Sequence, residues 1–520
     1  MSDEKALIRV HPKGEPETGE MQAPETVLSL DTFAGKVQFR WAPDAAVSSL
    51  GQMVFFIEFL KTSELFENWV KDCPLQYTSA NAPQKRDVLG TILLSVLAGH
   101  WRYAHISALR GDGVNPELLG MSKVASEDSV RRGLSAMKEE ESGPWLKKHL
   151  QFSYKPLLEE PWALDVDTTV KPLYGHQEDA RVGYNPQKPG RPSHAYHSYF
   201  IGNLRIVMDA EVQAGNQTAA SFAQPELWSL LDELPKSSHP SFLRGDCQWG
   251  TERAMVGAEQ REIAYVFKLK QSVNVKKLIA KLMGNEHWVD AGQKWQGLDT
   301  ELQLSGWSKK RRVVVLRRPL REGVAAEKNS KKKAAKQLTL DLPEATYRGV
   351  LYEYAVLVTS LKDEVRTIAQ HYRDRGDSEN NFDELKNQWG WAFTTHDRNR
   401  CQVMARITAL IYNWWTIYMR LGIPDKHAEA ITSRPLALHG IARRTRHSNQ
   451  TTIEVTSTHS KALVIAEALT KVNGFLKRIN ATAEQLTQVA RWRLILSAAF
   501  QYFLRGKVLG SVGHLAEATG

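Results

Sequence analysis

The stretch LDVDTTV, residues 164 to 170, restricts the fold of this chain more than any other. Its apolar and β-branched residues ask for a strand. Strand alternation then sends Asp165, Asp167 and Thr169 to one face and Leu164, Val166 and Thr168 to the other. Two carboxylates in mid-strand are expensive to bury unless they are paired or bound to metal. Either the fold brings partners to that face, or the strand ends there and an aspartate caps a turn.

The neighbouring text describes the sheet. The texture changes from helical to strand-like at Pro161, where WALDVDTTV, HAYHSYFIG and LRIVMDAEV read as three strands. AASFAQPELWSLLDELP reads as a helix, SFLRGDCQWG as a short strand, TERAMVGAEQREI as a helix and AYVFKLK as a strand. This order predicts an α/β sheet domain rather than a helical bundle. Asp246 sits just past the short strand, where α/β sheets place ligand-binding groups.

The chain of 520 residues has room for two to four domains. Residues 1–30 read as a disordered N-terminus and 31–158 as a helical domain, with SSLGQMVFFIEFL, KRDVLGTILLSVLAGHWRYA and SEDSVRRGLSAMKEE carrying apolar residues at helical spacing. Ser126 is a candidate N-cap for the helix that shows Arg131 and Arg132. Such a region suits DNA binding, and a helical packing domain fits it equally. Residues 159–282 form the first part of the sheet domain, and 283–360 a β-rich insertion that includes the basic loop EKNSKKKAAK. Residues 361–422 return to the sheet domain, and 423–520 read as a basic, mostly helical C-terminal region.

The net charge is +10 and the pI about 9.2, which favours a polyanionic partner such as nucleic acid or an acidic membrane surface. The excess is local. From Asn387 to Gly520 there are 17 Lys or Arg against 7 Asp or Glu, a surplus equal to that of the whole chain. Cys73, Cys247 and Cys401 form no CxxC pair, so neither a disulfide framework nor a structural zinc site is expected, and a reducing cytosol fits best. His194 and His197 have no acidic neighbour at ligand spacing and read as surface or core histidines. The N-terminus lacks the apolar core of a signal peptide. The most apolar run, ARITALIYNWWTIYMRLGI, is interrupted by charge, so no membrane span is expected.

One polar segment, HYRDRGDSENNFDELK, has an informative register. On a helix, Tyr372, Arg375, Glu379 and Lys386 stand at offsets of 3, 7 and 14 residues and fall within about 60° of one another. Phe382 and Leu385 allow that helix to dock. Three carboxylates from separate elements can hold two divalent ions for phosphoryl transfer, with Arg, Lys and Tyr gripping phosphate. An Arg–Glu pair on a solvated helix is the plain alternative, and it remains the reading for Asp374, Asp377, Asp383 and Glu384.

Y-x2-R-x3-E-x6-K is the signature of one branch of the DDE transposases of bacterial insertion sequences, and Tyr372, Arg375, Glu379 and Lys386 match it without gaps. The text DVDTTVKPLYGHQEDARVGYNPQKPGRPSHAYH resembles the first-aspartate region of insertion-sequence family 1380, and LRGDCQWG its second. The resemblance implies an RNase H-like, retroviral-integrase-like catalytic domain with a β-rich insertion, preceded by a helical DNA-binding domain. It implies a triad of Asp167, Asp246 and Glu379 that binds Mg²⁺, with Mn²⁺ as a substitute. Asp167 is preferred to Asp165 because D-T-T fits the relatives' D-x-T, and Asp165 becomes a supporting acid. Cys247-Gln248-Trp249 departs from the small residue and Gly-aromatic pair usual after the second aspartate.

The implied activity is cleavage and strand transfer at inverted-repeat ends in a bacterial cytoplasm, at the nucleoid, by a DNA-bound homodimer without a small-molecule cofactor. Cut-and-paste relatives imply a hairpin intermediate, which needs a flipped base stacked on an aromatic ring. Trp307 is the candidate, beside Lys309, Lys310, Arg311 and Arg312 as phosphate contacts, although a Trp packing the insertion's own core fits as well. The tract from Lys328 to Lys336 and the segment ARRTRH read as further phosphate contacts, with a solvated charge run as the alternative for the tract. Trp389 and Trp391 read as packing residues. A nuclease of the same fold without strand transfer, or an inactive DNA-binding derivative, would share these motifs.

Overall fold

The computed structural model describes residues 27–510 except 43, 78, 80, 186–187, 321–345, 348–349, 391–394 and 457–458, with the backbone alone at 346–347, 377–379 and 483. The basic tract at 328–336 and Trp391 therefore lie outside the described residues.

A hairpin of β1 (Leu28–Thr32) and β2 (Gly35–Phe39) and the short β3 (Val47–Ser48) come first. The hairpin corrects the reading of this stretch as disordered and then helical. Six helices follow: α1 (Met53–Ser63), α2 (Leu65–Asp72), α3 (Lys85–Leu97), α4 (Asn115–Leu118), α5 (Glu127–Ala136) and α6 (Glu139–Tyr154). Ser126 caps α5 by accepting from Ser129 N at 3.2 Å, and Glu127 and Asp128 fill its first turn, where the helix end is positive.

The strands β4 (Ala163–Pro172), β5 (Arg181–Val182), β6 (Pro192–Ile201) and β7 (Ile206–Ala214) come next, then α7 (Ala220–Asp232), β8 (Phe242–Gly245), α8 (Glu252–Gln260) and β9 (Ala264–Lys268). Apart from the two-residue β5, this is the order that the hydrophobic pattern predicts. The following segment carries α9 (Val273–Leu282), β10 (Val289–Gly292), β11 (Trp295–Leu302), β12 (Arg311–Pro319), β13 (Thr346–Tyr347) and β14 (Val350–Thr359). Its strands extend the main sheet, because β14 lies antiparallel to β9 with Val358 opposite Phe267. The path of the 11-stranded sheet is β10-β11-β12-β14-β9-β8-β4-β6-β7, with β5 and β13 as short additions. Within it β4, β8 and β9 are parallel, β6 runs antiparallel to β4, and β7 antiparallel to β6.

Helices α10 (Val365–Arg373), α11 (Arg375–Gln388), α12 (Arg398–Gly422) and α13 (Ala430–Ala437) lead to a second hairpin, β15 (Ile441–His447) and β16 (Gln450–Thr456), before α14 (Ala462–Ala481) and α15 (Gln488–Ala499). The basic segment ARRTRH is thus a strand within an otherwise helical region.

Helix α12 seals the free edge of β7. Asn413 accepts from Val207 N at 2.9 Å and donates to Val207 O at 2.8 Å. Gln402 accepts from Val212 N at 2.6 Å and donates to Ala210 O at 2.8 Å. The spacing matches: three turns of helix and five strand residues each span ~16 Å. Two side-chain amides thereby do what another strand would do for an open sheet edge. The opposite side of α12 buries Trp414 and Trp415, with Trp414 edge-on to Trp69 at 5.6 Å and Trp415 edge-on to Phe56 at 5.4 Å. The apolar run of the sequence is therefore a core helix, and no helix among the described residues is long and apolar enough to cross a membrane.

Candidate active site

Register builds the site. In the parallel pair β4–β8, Asp165 stands opposite Arg244 and Val166 opposite Gly245. One residue further, the chain reaches Asp167 on β4 and Asp246 just beyond β8. Registered residues in a parallel pair share a face. The Asp165–Arg244 ion pair fulfils that rule, with Nε–Oδ1 at 2.5 Å and Nη2–Oδ2 at 2.7 Å between two buried side chains. Two residues on, alternation returns Asp167 to the same face.

Asp165 is consumed by that fork. Arg244 uses its remaining Nη1 to donate to His371 O at 2.7 Å, which ties α10 to the sheet. Asp167, by contrast, is partly open, with 23% of its side chain exposed. Asp246 accepts from Gln248 N at 2.9 Å in a tight turn. It shares a cavity of about 220 Å³ with Thr169, Asn185 and Lys386.

The signature segment is two helices rather than the single one its spacing suggests. Tyr372 ends α10, where it packs half-buried against the small apolar cluster around Phe242 and Ile368. Asp374 forms the turn, and Arg375, Glu379 and Lys386 belong to α11. Helix α11 lies over the aspartate face: Phe382 meets Phe200 edge-on at 4.9 Å, and Phe200 is the strand partner of Asp165 on β6. Glu384 is not a solvated acid. It is buried, accepting from His427 Nε2 at 2.6 Å, Ala430 N at 2.9 Å and Trp389 Nε1 at 3.2 Å.

Arg375 reaches the first aspartate, with Nη2 3.3 Å from Asp167 Oδ1. Burial opposes its charge, but Asp167 first, then Tyr372, Asp165 and Asp246, outweigh burial and raise the guanidinium pKa. Glu379 follows Arg375 by about one helical turn, with its side chain outside the described residues. Among the described residues, no three His, Cys, Asp or Glu side chains converge as a metal cluster.

Lys171 went unnoticed in the sequence. Alternation from Asp167 through Thr169 puts it on the same face, a signal that strand period alone could have supplied. Burial pushes its ammonium down to about 8, partly offset by Cys401 and reinforced by the positive charge of Lys386.

The remaining predicted contacts separate. Trp307 is buried, and Arg311 lies over its ring at 5.5 Å. Arg311 is itself held by Glu252 and Glu259 of α8, at 2.5 and 2.9 Å. Arg312 binds Asp299 and the carbonyls of Leu361 and Asp363. Buried Trp307 and Arg311 do not sit as exposed stacking and phosphate-binding groups, the Arg311 guanidinium having the carboxylate partners that burial requires, whereas Arg312 keeps 26% of its side chain exposed. Lys309 is exposed beside Glu259, and Lys310 is exposed. Arg131 bonds Glu127 and Asp128 of its own helix at 2.9 and 3.0 Å, whereas Arg132 points outward. His194 and His197 are core residues: His197 bonds Thr168 Oγ1 at 2.7 Å and Gln217 O at 2.9 Å, and His194 bonds Glu178 O at 2.7 Å. Trp389 is a packing residue under Arg434.

The family model described as "Transposase DDE domain group 1" matches residues 44–475. No curated protein matches the sequence. Among solved structures, a cryo-EM structure of the piggyBac transposase synaptic complex with hairpin DNA aligns at 10% identity and a TM-score of 0.31, covering 90% of this chain and 83% of that one.

Proposed function

This chain belongs to the transposase DDE domain group 1 family, and we propose that it is the transposase of a bacterial insertion sequence related to family 1380. In this reading it binds the inverted-repeat ends of its element in the bacterial cytoplasm, as a homodimer, and cuts and joins DNA there. The catalytic part is RNase H-like. The path β7-β6-β4-β8-β9, with helices after β7 and β8, supports that reading.

Asp167, Asp246 and Glu379 are the residues that hold divalent ions, Mg²⁺ or Mn²⁺. The donor set fits: hard carboxylate oxygens from the middle of β4 and from just past the end of its neighbour β8, the first partly open to solvent. Bound there, the ions would supply Lewis-acid polarisation of the scissile phosphate and a lowered pKa for the attacking hydroxyl. The chain's own work is positioning and charge, which is most of what phosphoryl transfer asks of a protein. Arg375 orients Asp167 and brings positive charge to a phosphate bound beside it. Lys386 and Lys171 bring positive charge to the same face, and the buried Asp165–Arg244 pair holds β4, β8 and α10 in register. Buried Trp307 is not a stacking residue in this reading, which stops at cleavage and joining.

The observation that carries the proposal is the β4–β8 register, which ends at Val166↔Gly245, one residue before Asp167 and Asp246, together with the reach of Arg375 from the signature helix to Asp167. The test uses labelled duplexes of the DNA flanking the gene, incubated with the full chain and Mg²⁺ or Mn²⁺. Nicks at defined ends and joined products are expected, with Glu379→Gln binding the duplex but cutting it at least ~1,000-fold more slowly. Nicking without joining would leave a nuclease, and binding without cleavage an inactive derivative.

A further inference from the structure

The hairpin β15–β16 is built unlike the rest of the fold. Seven residue pairs register from Ile441↔Thr456 to His447↔Gln450, closed by Ser448 and Asn449 with Ser448 at φ 53°. Only its base is anchored. Ala442 and Arg443 pair with Ser48 and Val47 of β3, and Arg444 N donates to Ala46 O at 2.8 Å. Gly51 and Gly440 let the backbones cross closely there: Gly51 N donates to Gly440 O at 2.9 Å, and a Cβ on Gly51 would stand 2.7 Å from both Ala442 Cβ and Gly440 O. Beyond Arg444 neither strand pairs with another described strand. Of the two strands' side chains only Ala442 is buried, with Arg444 and Ile453 half-buried.

A two-stranded ribbon with both edges open is marginal in water and invites unwanted pairing. A rigid base with a solvated, basic tip points to a partner that the tip must reach. The strands carry Arg443, Arg444, Arg446 and His447 against one acid, Glu454. Arg444 is tied to Glu117, while Arg443, Arg446 and His447 are exposed. Towards the tip the remaining side chains are hydroxyls and amides: Thr445, Asn449, Gln450, Thr451 and Thr452. Arg, Asn, Gln and Thr are the side chains that read base edges. The dimensions agree too. Seven residues span ~23 Å, the two strands lie ~4.8 Å apart, and the major groove, ~12 Å wide, admits such a ribbon.

We propose that β15–β16 is a DNA-reading ribbon that enters the major groove of duplex DNA, with Arg446 contacting base edges and Arg443, on the ribbon's other face and nearer its base, a flanking phosphate. The proposal rests on the transposase reading and adds the element and groove by which the chain recognises its ends.

The experiment uses full-length protein and 30-bp duplexes that the wild type selects from a random pool, read by affinity and by methylation interference. Arg446→Ala and Arg443→Ala/Arg446→Ala are expected to bind ~10-fold or more weakly and to lose interference at specific guanine N7 positions, which face the major groove. Their melting temperature should match the wild type, because the side chains are exposed. Binding within about twofold of wild type with an unchanged pattern overturns the proposal. So does a loss of affinity equal on all sequences, or interference confined to adenine N3 in the minor groove. In either of those cases the transposase reading survives if the wild type still cuts the flanking DNA. A wild type that selects no duplex and cuts none defeats both.

Discussion

Arg375 of the signature helix stands 3.3 Å from Asp167 on the central strand, nitrogen to carboxylate oxygen, and Asp246 adds its charge to the same guanidinium. A guanidinium there balances carboxylates that would otherwise repel each other, and it competes with any other cation for Asp167. Arg375→Gln should therefore bind Mn²⁺ several-fold more tightly at neutral pH while cutting DNA at least ~100-fold more slowly, because the phosphate loses that positive charge. Paramagnetic titration of Mn²⁺ reads the first effect without any DNA. Unchanged Mn²⁺ affinity would remove Arg375 from the ion's immediate surroundings.

Asp165 is predicted to behave differently from its neighbour two residues on. Removing its charge leaves Arg244 buried and unbalanced, so Asp165→Asn should cost about 3–5 kcal/mol of stability. Gly202→Ala should produce a related loss, because a Cβ there would run into Asp165 Oδ2 and the Arg244 fork. Thermal melts check both. An Asp165→Asn protein that melts normally but is inactive would return Asp165 to the catalytic set.

Lys171, half-buried with an ammonium pKa of about 8, loses its charge as pH rises through that value. DNA affinity of the wild type should fall between pH 7 and 9 by up to ~10-fold. In Lys171→Met the affinity should be lower at pH 7 and flat across the same range. Fluorescence anisotropy at constant ionic strength measures it, and a slope that survives the substitution assigns the titration elsewhere.

Glu211, on β7, holds its proton unusually tightly, with a pKa of about 7. Burial is the largest cause; Glu226 and Asp209 add to it, while Tyr199 and Arg406 oppose it. Because the folded value is raised, its contribution to stability is fully present below the unfolded value near 4.5 and is lost as pH rises through 7. Glu211→Gln keeps an acceptor for Tyr199 and cannot ionise. Urea unfolding should show it less sensitive to pH between 5 and 8 than the wild type, and more stable at pH 8 by up to about 3 kcal/mol.

The sheet was legible because each of its core strands carries its own period and its own punctuation. LDVDTTV, HAYHSYFIG and AYVFKLK each match the strand they form. The choice between Asp165 and Asp167 was not local. Both alternate to the same face, and only Arg244, 79 residues away, decides which one is already spent. Arg311 misled for the same reason, since its partners Glu252 and Glu259 sit on a helix that composition alone cannot place opposite it. The turn at Asp374 was hidden because its residues continue the helical spacing on both sides. ARRTRH was read as charge without shape: its few apolar residues leave a strand pattern too weak to stand out from a helical background.

The amides of Gln402 and Asn413 seal one side of α12 to the sheet, while its other side interlocks with Phe56 and Trp69 from the first hundred residues. One hydrophobic cluster runs without a break from Leu50 to Leu509. The upstream helices and the sheet that carries Asp167 are therefore halves of a single casting. A deletion of the first 158 residues would strip the aromatic row of α12 and take the sheet down with it. Any force on those helices is delivered, through one rod, to the edge of the same sheet that holds Asp167.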